Sequence, residues 1–218
     1  MKTTILFDLD GTLIDSTEAI LESFYHAFES FSAKPPKQEE IESKIGYTLE
    51  DIFGFLGVEN RHIDEYVASY KEKYREISKP KTYLLEGAKE ALEIASSFAR
   101  LGVVTTKTAR YSKDLIEHMS VMHYFETLIG REDVQNVKPH PEPIYKALAN
   151  MGKTESDDKS GIWMIGDTFL DIEAAKNAGI KHVALMTGYG DKEELKELSE
   201  IMTKGVLEAV LTIKQSLA

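Results

Sequence analysis

Cysteine is absent from this 218-residue chain, which excludes disulfide staples, thiolate zinc sites and thiol redox catalysis, and leaves oxygen or histidine donors for any metal. Histidine is scarce too. None of the six stands in a His-x-His or His-Glu-x-x-His spacing, so they read as core or surface residues. No apolar run is long enough to span a bilayer, and no charged-then-apolar leader precedes the acidic motif near residue 8; the expectation is a cytoplasmic protein without a membrane partner. Positive charge is in short supply, with 26 Lys plus Arg against 37 Asp plus Glu and a formal net charge of -11. The bases lie among acids, as in Lys71-Glu72-Lys73, which makes a poor nucleic-acid surface. The same field mildly repels small anions, so a phosphate ester would need a local cluster of cations. Internal repeats and low-complexity stretches are also missing.

What is present suffices for a proper core. With 42% hydrophobic and 29% charged residues, the chain has material for one large domain, or for a domain carrying a sizeable insertion. Residues 3–8 read as a buried strand, a short apolar run closed by Asp-Gly. Over 17–81 nothing is strand-like: Ile20, Phe24, Ala27, Phe28 and Phe31, and then Ile63, Val67, Tyr70, Tyr74 and Ile77, recur at helical spacing. Lys34-Pro35-Pro36 breaks this stretch, and Thr48-x-x-Asp51 resembles a capping box. From about residue 84 the pattern alternates, with helices over 87–96, 109–119, 142–151 and 170–178, strands over 99–105, 127–129, 161–166 and 181–185, and a closing helix from Val206 to Leu217. Such alternation predicts an α/β fold with a parallel sheet and crossover helices, interrupted by a helical insert.

Four segments carry the chemistry: Phe7 to Ser16, Val103 to Lys107, Val137-Lys138-Pro139, and Ile165 to Asp171. Three fall just past the C-terminal end of a strand, the edge where open α/β sheets bind ligands; Lys138 lies in a loop before a helix. Asp8 and Asp10 sit one residue apart and point in the same general direction, so one can attack while the other handles protons, provided Asp8 is ionised and held on a cation and Asp10 has its proton affinity raised enough to donate to a leaving oxygen. Asp-Gly also suits a plain polar turn. Asp167 and Asp171 are hard oxygen ligands suited to Mg²⁺, or else helix-capping acids. Thr105 and Thr106 offer hydroxyls and backbone amides, and Lys138 a point charge, for phosphoryl oxygens; a turn threonine and a solvated lysine are the plainer alternatives. Gly11, Thr12 and Lys107 join Thr106 as the expected phosphate-binding set. Pro139, Pro141 and Pro143 stiffen the loop that presents Lys138. Gly188-Tyr189-Gly190 reads as a turn.

The combination Asp8-x-Asp10-Gly11-Thr12-Leu13-x-Asp15-Ser16, Val104-Thr105-x-Lys107, Lys138-Pro139-x-Pro141-Glu142-Pro143 and Gly166-Asp167-Thr168-x-x-Asp171 resembles the haloacid dehalogenase superfamily, in particular its phosphoglycolate phosphatase-like branch. The resemblance implies a Rossmann-like core of residues 1–16 and 82–218 with an α-helical cap at 17–81. It implies that Asp8 is the nucleophile, that Asp10 is the general acid and then the base, and that Thr105 and Lys138 bind the phosphoryl group. It implies Mg²⁺ held by the side chains of Asp8 and Asp167 and the carbonyl of Asp10, with Asp171 in support. The substrate would be a small phosphorylated metabolite, and the chain a monomer or homodimer. Two departures weaken a specific link to 2-phosphoglycolate: Thr106 stands where relatives often have Asn, and Leu85-Glu86-Gly87 where Pro-Gly is usual. A phosphosugar mutase is the nearest rival, disfavoured by Thr12, where mutases typically have valine. A receiver-type phospho-aspartate switch is the non-enzyme alternative, but it would place its acceptor after a central strand and lack a helical insert.

Overall fold

The computed structural model describes residues 3–154 and 157–217. Among them, β1 (Thr3–Phe7) leads into a two-residue strand β2 (Ile14–Asp15) and then α1 (Thr17–Ser30), α2 (Gln38–Glu42), α3 (Leu49–Phe55) and α4 (Ile63–Ile77), before β3 (Tyr83–Leu84) pairs antiparallel with β2. The remainder alternates: α5 (Ala88–Phe98), β4 (Ala99–Val104), α6 (Ala109–His118), β5 (Phe125–Ile129), α7 (Glu142–Asn150), β6 (Ile162–Gly166), α8 (Phe169–Ala178), β7 (Lys181–Leu185), α9 (Lys192–Leu198), β8 (Met202–Thr203) and α10 (Val206–Gln215). Six of the strands form one parallel sheet in the order β5-β4-β1-β6-β7-β8. This is the α/β sheet that the alternation predicts.

β1 lies inside the sheet, and every residue of it is buried. Successive residues serve opposite faces: Ile5 and Phe7 pack with Ala91 and Leu92 of α5 and Val210 of α10, whereas Leu6 packs with Ile144 of α7 and Ala174 of α8. Helices on both faces explain why the strands read as continuous apolar runs. Strand order reverses at β1, with β4 and β5 on one side and β6, β7 and β8 on the other. Such a switch point opens a crevice at the C-terminal ends of the central strands.

The helices of the insert pack around an aromatic cluster. Phe24 of α1 lies 4.9 Å from Phe53 and 4.8 Å from Tyr70, ring centre to ring centre, and Phe28 meets Tyr66 at 5.2 Å. All five are at most 8% exposed, and burial of each contributes on the order of 2 kcal/mol. Thr48 caps α3, its Oγ1 accepting from the Asp51 amide and donating to the Asp51 carboxylate.

Several short elements were not foreseen from periodicity, among them β2, β3, β8 and α9. The β2–β3 pair and β8 contain two residues each, too few to show alternation. α9 is short and strongly charged, and its start is set by Asp191, whose Oδ1 accepts from the amides of Glu193 and Glu194. No helix among the described residues is long and apolar enough to cross a membrane.

Candidate active site

Asp8 follows β1 directly and extends its ladder, its amide donating to Ile165 O. The chain then turns tightly, with the amides of Thr12, Leu13 and Ile14 all directed at Leu9 O. Gly11 has φ +79, and a Cβ there would stand 2.5 Å from Asp167 Oδ2, so both conformation and space require glycine. Thr12 Oγ1 donates to Asp167 Oδ1 at 2.8 Å, and the Tyr189 amide donates to Oδ2 at 2.9 Å. A Cβ on Gly188 would fall 1.8 Å from the same Oδ2. The segment read as a plain turn therefore wraps Asp167. Its position past the end of β7 was the available signal.

Lys138 is 4% exposed. Its Nζ donates to Asp171 Oδ1 at 2.5 Å and to Val104 O at 3.1 Å, and lies 2.8 Å from Asp8 Oδ1. Asp171 also caps α8, since its Oδ2 accepts from the amide and hydroxyl of Thr168. Capping and facing the site, set against each other as alternatives, are both true of this side chain. The loop around Lys138 is tied down before it by Glu142, which accepts from the amides of Gln135 and Asn136, and after it by Asn177, which donates to Pro139 O.

One carboxylate oxygen from each of Asp8, Asp167 and Asp171 lies within 4.8 Å of the others, and all three residues are buried. Burial pushes the Asp8 carboxyl up to about 7 despite the counter-effect of Lys138. Burial, reinforced by Asp8 and Asp171, holds Asp167 well above the usual carboxylate range. Burial opposes the charge of Lys138, but Asp171 and Asp8 outweigh it and raise its pKa. Three buried carboxylates lie together while the one ammonium beside them pairs with only Asp8 and Asp171, an excess of negative charge that is costly in a dry interior. Asp8 Oδ1 is held by its ion pair with Lys138 and has no further polar partner among the described residues. A hard divalent cation such as Mg²⁺ fits this donor set.

Asp10 is held differently. Lys107 Nζ is 3.0 Å from each of its carboxylate oxygens, and Ser16 Oγ donates to Oδ1. Lys107 also lies over the Tyr74 ring, 4.7 Å from its centre. Burial works against the charge of Lys107, but Asp10 above all keeps its pKa well above the ordinary value. Thr105 is buried at the end of β4, and its Oγ1 accepts from the Lys107 amide. Thr106 Oγ1 donates to Gly46 O, joining the sheet edge to the insert.

Asp8, Asp10, Thr105, Thr106 and Lys107 line a cavity of about 70 Å³ together with Phe24, Tyr70 and Tyr74 of the insert and with Arg131. Gly11 and Thr12 stand behind it, supporting Asp167. Ser16, Tyr74, Arg131 and Tyr189 were not singled out as site residues. Ser16 closes the first motif and was open to discovery there, whereas the role of Tyr74 depends on how the insert packs.

A family model for haloacid dehalogenase-like hydrolases matches residues 5–185. The chain is similar to pyrophosphatase PpaX of Halalkalibacterium halodurans, at 34% identity over 193 residues, covering 88% of this chain and 86% of the relative. A haloacid dehalogenase-like hydrolase of Streptococcus pneumoniae superposes with a TM-score of 0.86 at 27% identity, covering 97% of this chain and 98% of that one. A predicted phosphoglycolate phosphatase of Haemophilus somnus, at 22% identity and a TM-score of 0.87 over 98% of both chains, shares the fold.

Proposed function

Because this chain belongs to the haloacid dehalogenase-like hydrolase family, we propose that it is a Mg²⁺-dependent phosphatase that hydrolyses a small phosphate ester or anhydride through an aspartyl-phosphate. The observation that carries this reading is the buried set of Asp8, Asp167 and Asp171, of which Asp8 and Asp171 pair with Lys138, with Asp10 alongside but paired separately.

Asp8 attacks phosphorus; a bond forms from its carboxylate oxygen to phosphorus as the bond to the leaving oxygen breaks. Asp10 gives that oxygen a proton, then takes one from the water that attacks the aspartyl-phosphate, releasing phosphate and restoring Asp8. Lys138 and Thr105 hold phosphoryl oxygens, and Lys138 also orients Asp8. Asp8, Asp167 and the Asp10 carbonyl would hold Mg²⁺, with Asp171 behind them. Bound there, the cation would offset the charge of nucleophile and phosphate together. Residues 17–81 act as a cap over a core of 1–16 and 82–218, and its closure excludes water.

A volume near 70 Å³ holds on the order of five waters, which suits a short leaving group. Pyrophosphate is the first substrate to test, since the PpaX relatives are named pyrophosphatases. Arg131 and Lys71 line the cavity and form no ion pair among the described residues, so a second anionic group would find partners there; Glu50, also at the wall, partly offsets them. A 2-phosphoglycolate-like ester satisfies the same demand. The protein acts in the cytoplasm as a monomer or homodimer.

The test is phosphate release from pyrophosphate, 2-phosphoglycolate, sugar phosphates, nucleotides and an aryl phosphate, with Mg²⁺ and with chelator, for wild type and Asp8→Asn. Metal-dependent turnover that Asp8→Asn abolishes is expected. Turnover that survives Asp8→Asn would remove the aspartyl-phosphate, and isomerisation of a sugar phosphate without net release would favour a mutase.

A further inference from the structure

We infer that Lys107 is a positioning residue that acts through Asp10, and that Tyr74 of the insert holds Lys107 in that role. The sequence expectation gave Lys107 to the phosphoryl group; the geometry points elsewhere. The inference rests on the acid–base role proposed for Asp10.

An ammonium has three N–H donors. Lys107 Nζ is 3.0 Å from both oxygens of Asp10, and the aromatic face of Tyr74 lies 4.7 Å away. Two donors and the ring account for most of what this group can offer, leaving little for a phosphoryl oxygen. The side chains of Lys107 and Asp10 are 12% and 13% exposed, so water screens the pair weakly. The backbone of Lys107 is fixed on both sides, its amide donating to Thr105 Oγ1 and its carbonyl accepting from the Arg131 amide. Lys138, by contrast, contacts Asp8 itself and is the cation next to the nucleophile.

Tyr74 is a firm support. It is 2% exposed and stacks on Tyr70 at 5.6 Å with the rings 10° apart; Tyr70 in turn meets Phe24. Lys107 thus rests against one end of the aromatic cluster that organises the insert. Its ammonium sits between the insert and the carboxylate that must reach the leaving oxygen, and a displacement of about 1 Å at such a group can cost on the order of a hundredfold in rate.

A group acting through the general acid is felt most where the leaving oxygen needs a proton. The test is therefore steady-state kinetics with Mg²⁺ on a series of phosphate esters, from p-nitrophenyl phosphate, whose leaving group departs unprotonated, to an alkyl phosphate. The variants are Lys107→Met, Lys107→Arg and Tyr74→Leu, with Asp10→Asn as reference. For Lys107→Met we expect kcat on the alkyl ester to fall at least about tenfold, a much smaller loss on the nitrophenyl ester, and KM nearly unchanged. Tyr74→Leu keeps both charges and should shift the series in the same direction by less, while Lys107→Arg should recover part of the loss. A uniform loss across the series for Lys107→Met, or a rise in KM with kcat unchanged, would overturn the inference if Asp10→Asn still shows the steep dependence. A flat series for Asp10→Asn would instead overturn the acid role of Asp10, and the inference with it.

Discussion

Thr12 and Asp167 stand 155 residues apart in the chain and share a hydrogen bond of 2.8 Å, with both side chains buried. That bond joins the turn after β1 to the turn after β6, so the segment holding the nucleophile candidate and the segment holding a metal-ligand candidate share one support.

Thr12→Val keeps the shape and removes the donor. Partners of this kind typically affect metal affinity by about ten- to a hundredfold, so the Mg²⁺ concentration for half-maximal activity should rise by at least about tenfold, with kcat at saturating Mg²⁺ changing less. A magnesium titration of activity decides it; an unchanged midpoint would show that this bond serves folding alone.

Gly188→Ala tests the loop around Asp167. The added methyl would fall on the Asp167 carboxylate, which must move or the loop must open. The expected result is loss of nearly all metal-dependent activity with circular dichroism close to wild type. A fully active variant would mean that the loop yields without disturbing Asp167.

Arg131 lines the cavity; its Nη1 donates to Val134 O, while its buried Nε has no hydrogen-bond partner among the described residues. For Arg131→Met, KM for pyrophosphate should rise about tenfold, the order of one lost charge-assisted contact, while p-nitrophenyl phosphate, which lacks a second anionic group, is hardly affected. Equal effects on both substrates would remove Arg131 from recognition of the leaving group.

His182 on β7 supplies a pH dependence remote from the site. Its Nδ1 is buried without a hydrogen-bond partner among the described residues; burial, and next the charge of Lys176, hold its pKa below the ordinary 6.5. The unfolded chain takes up a proton near pH 6.5 that the folded protein resists, so between that value and the lower folded one the unfolded state binds more protons. Stability from this group is intact above pH 6.5 and is lost as pH falls through that window. Urea unfolding from pH 7.5 to 5.5 should show wild type losing more stability than His182→Gln; parallel losses would show that other groups govern the slope.

Much of the architecture was legible because its signals are local. Continuous apolar runs closed by Asp-Gly or Gly-Asp mark strands buried on both faces, and the 3.6-residue spacing of Phe24, Ala27 and Phe28 or of Val67, Tyr70 and Tyr74 marks helices. Asp8, Asp10, Thr105 and Asp167 could be picked out as candidates because each follows a strand end along one rim, whereas Lys138, in a loop, and Asp171, on α8, were picked out by their place in the motifs.

The sequence by itself therefore determined the α/β class, the place of the helical insert and the residue types gathered at that rim, because periodicity and strand-end position depend only on near neighbours in the chain. Tertiary structure alone decided which partner each group meets. Lys107, expected among the phosphate-binding residues, pairs with Asp10, Lys138 bridges Asp8 and Asp171, and the Gly188-Tyr189-Gly190 turn encloses Asp167. Such pairings join residues from tens to well over a hundred positions apart, and they arise only when sheet order and insert packing bring those segments within a few ångströms.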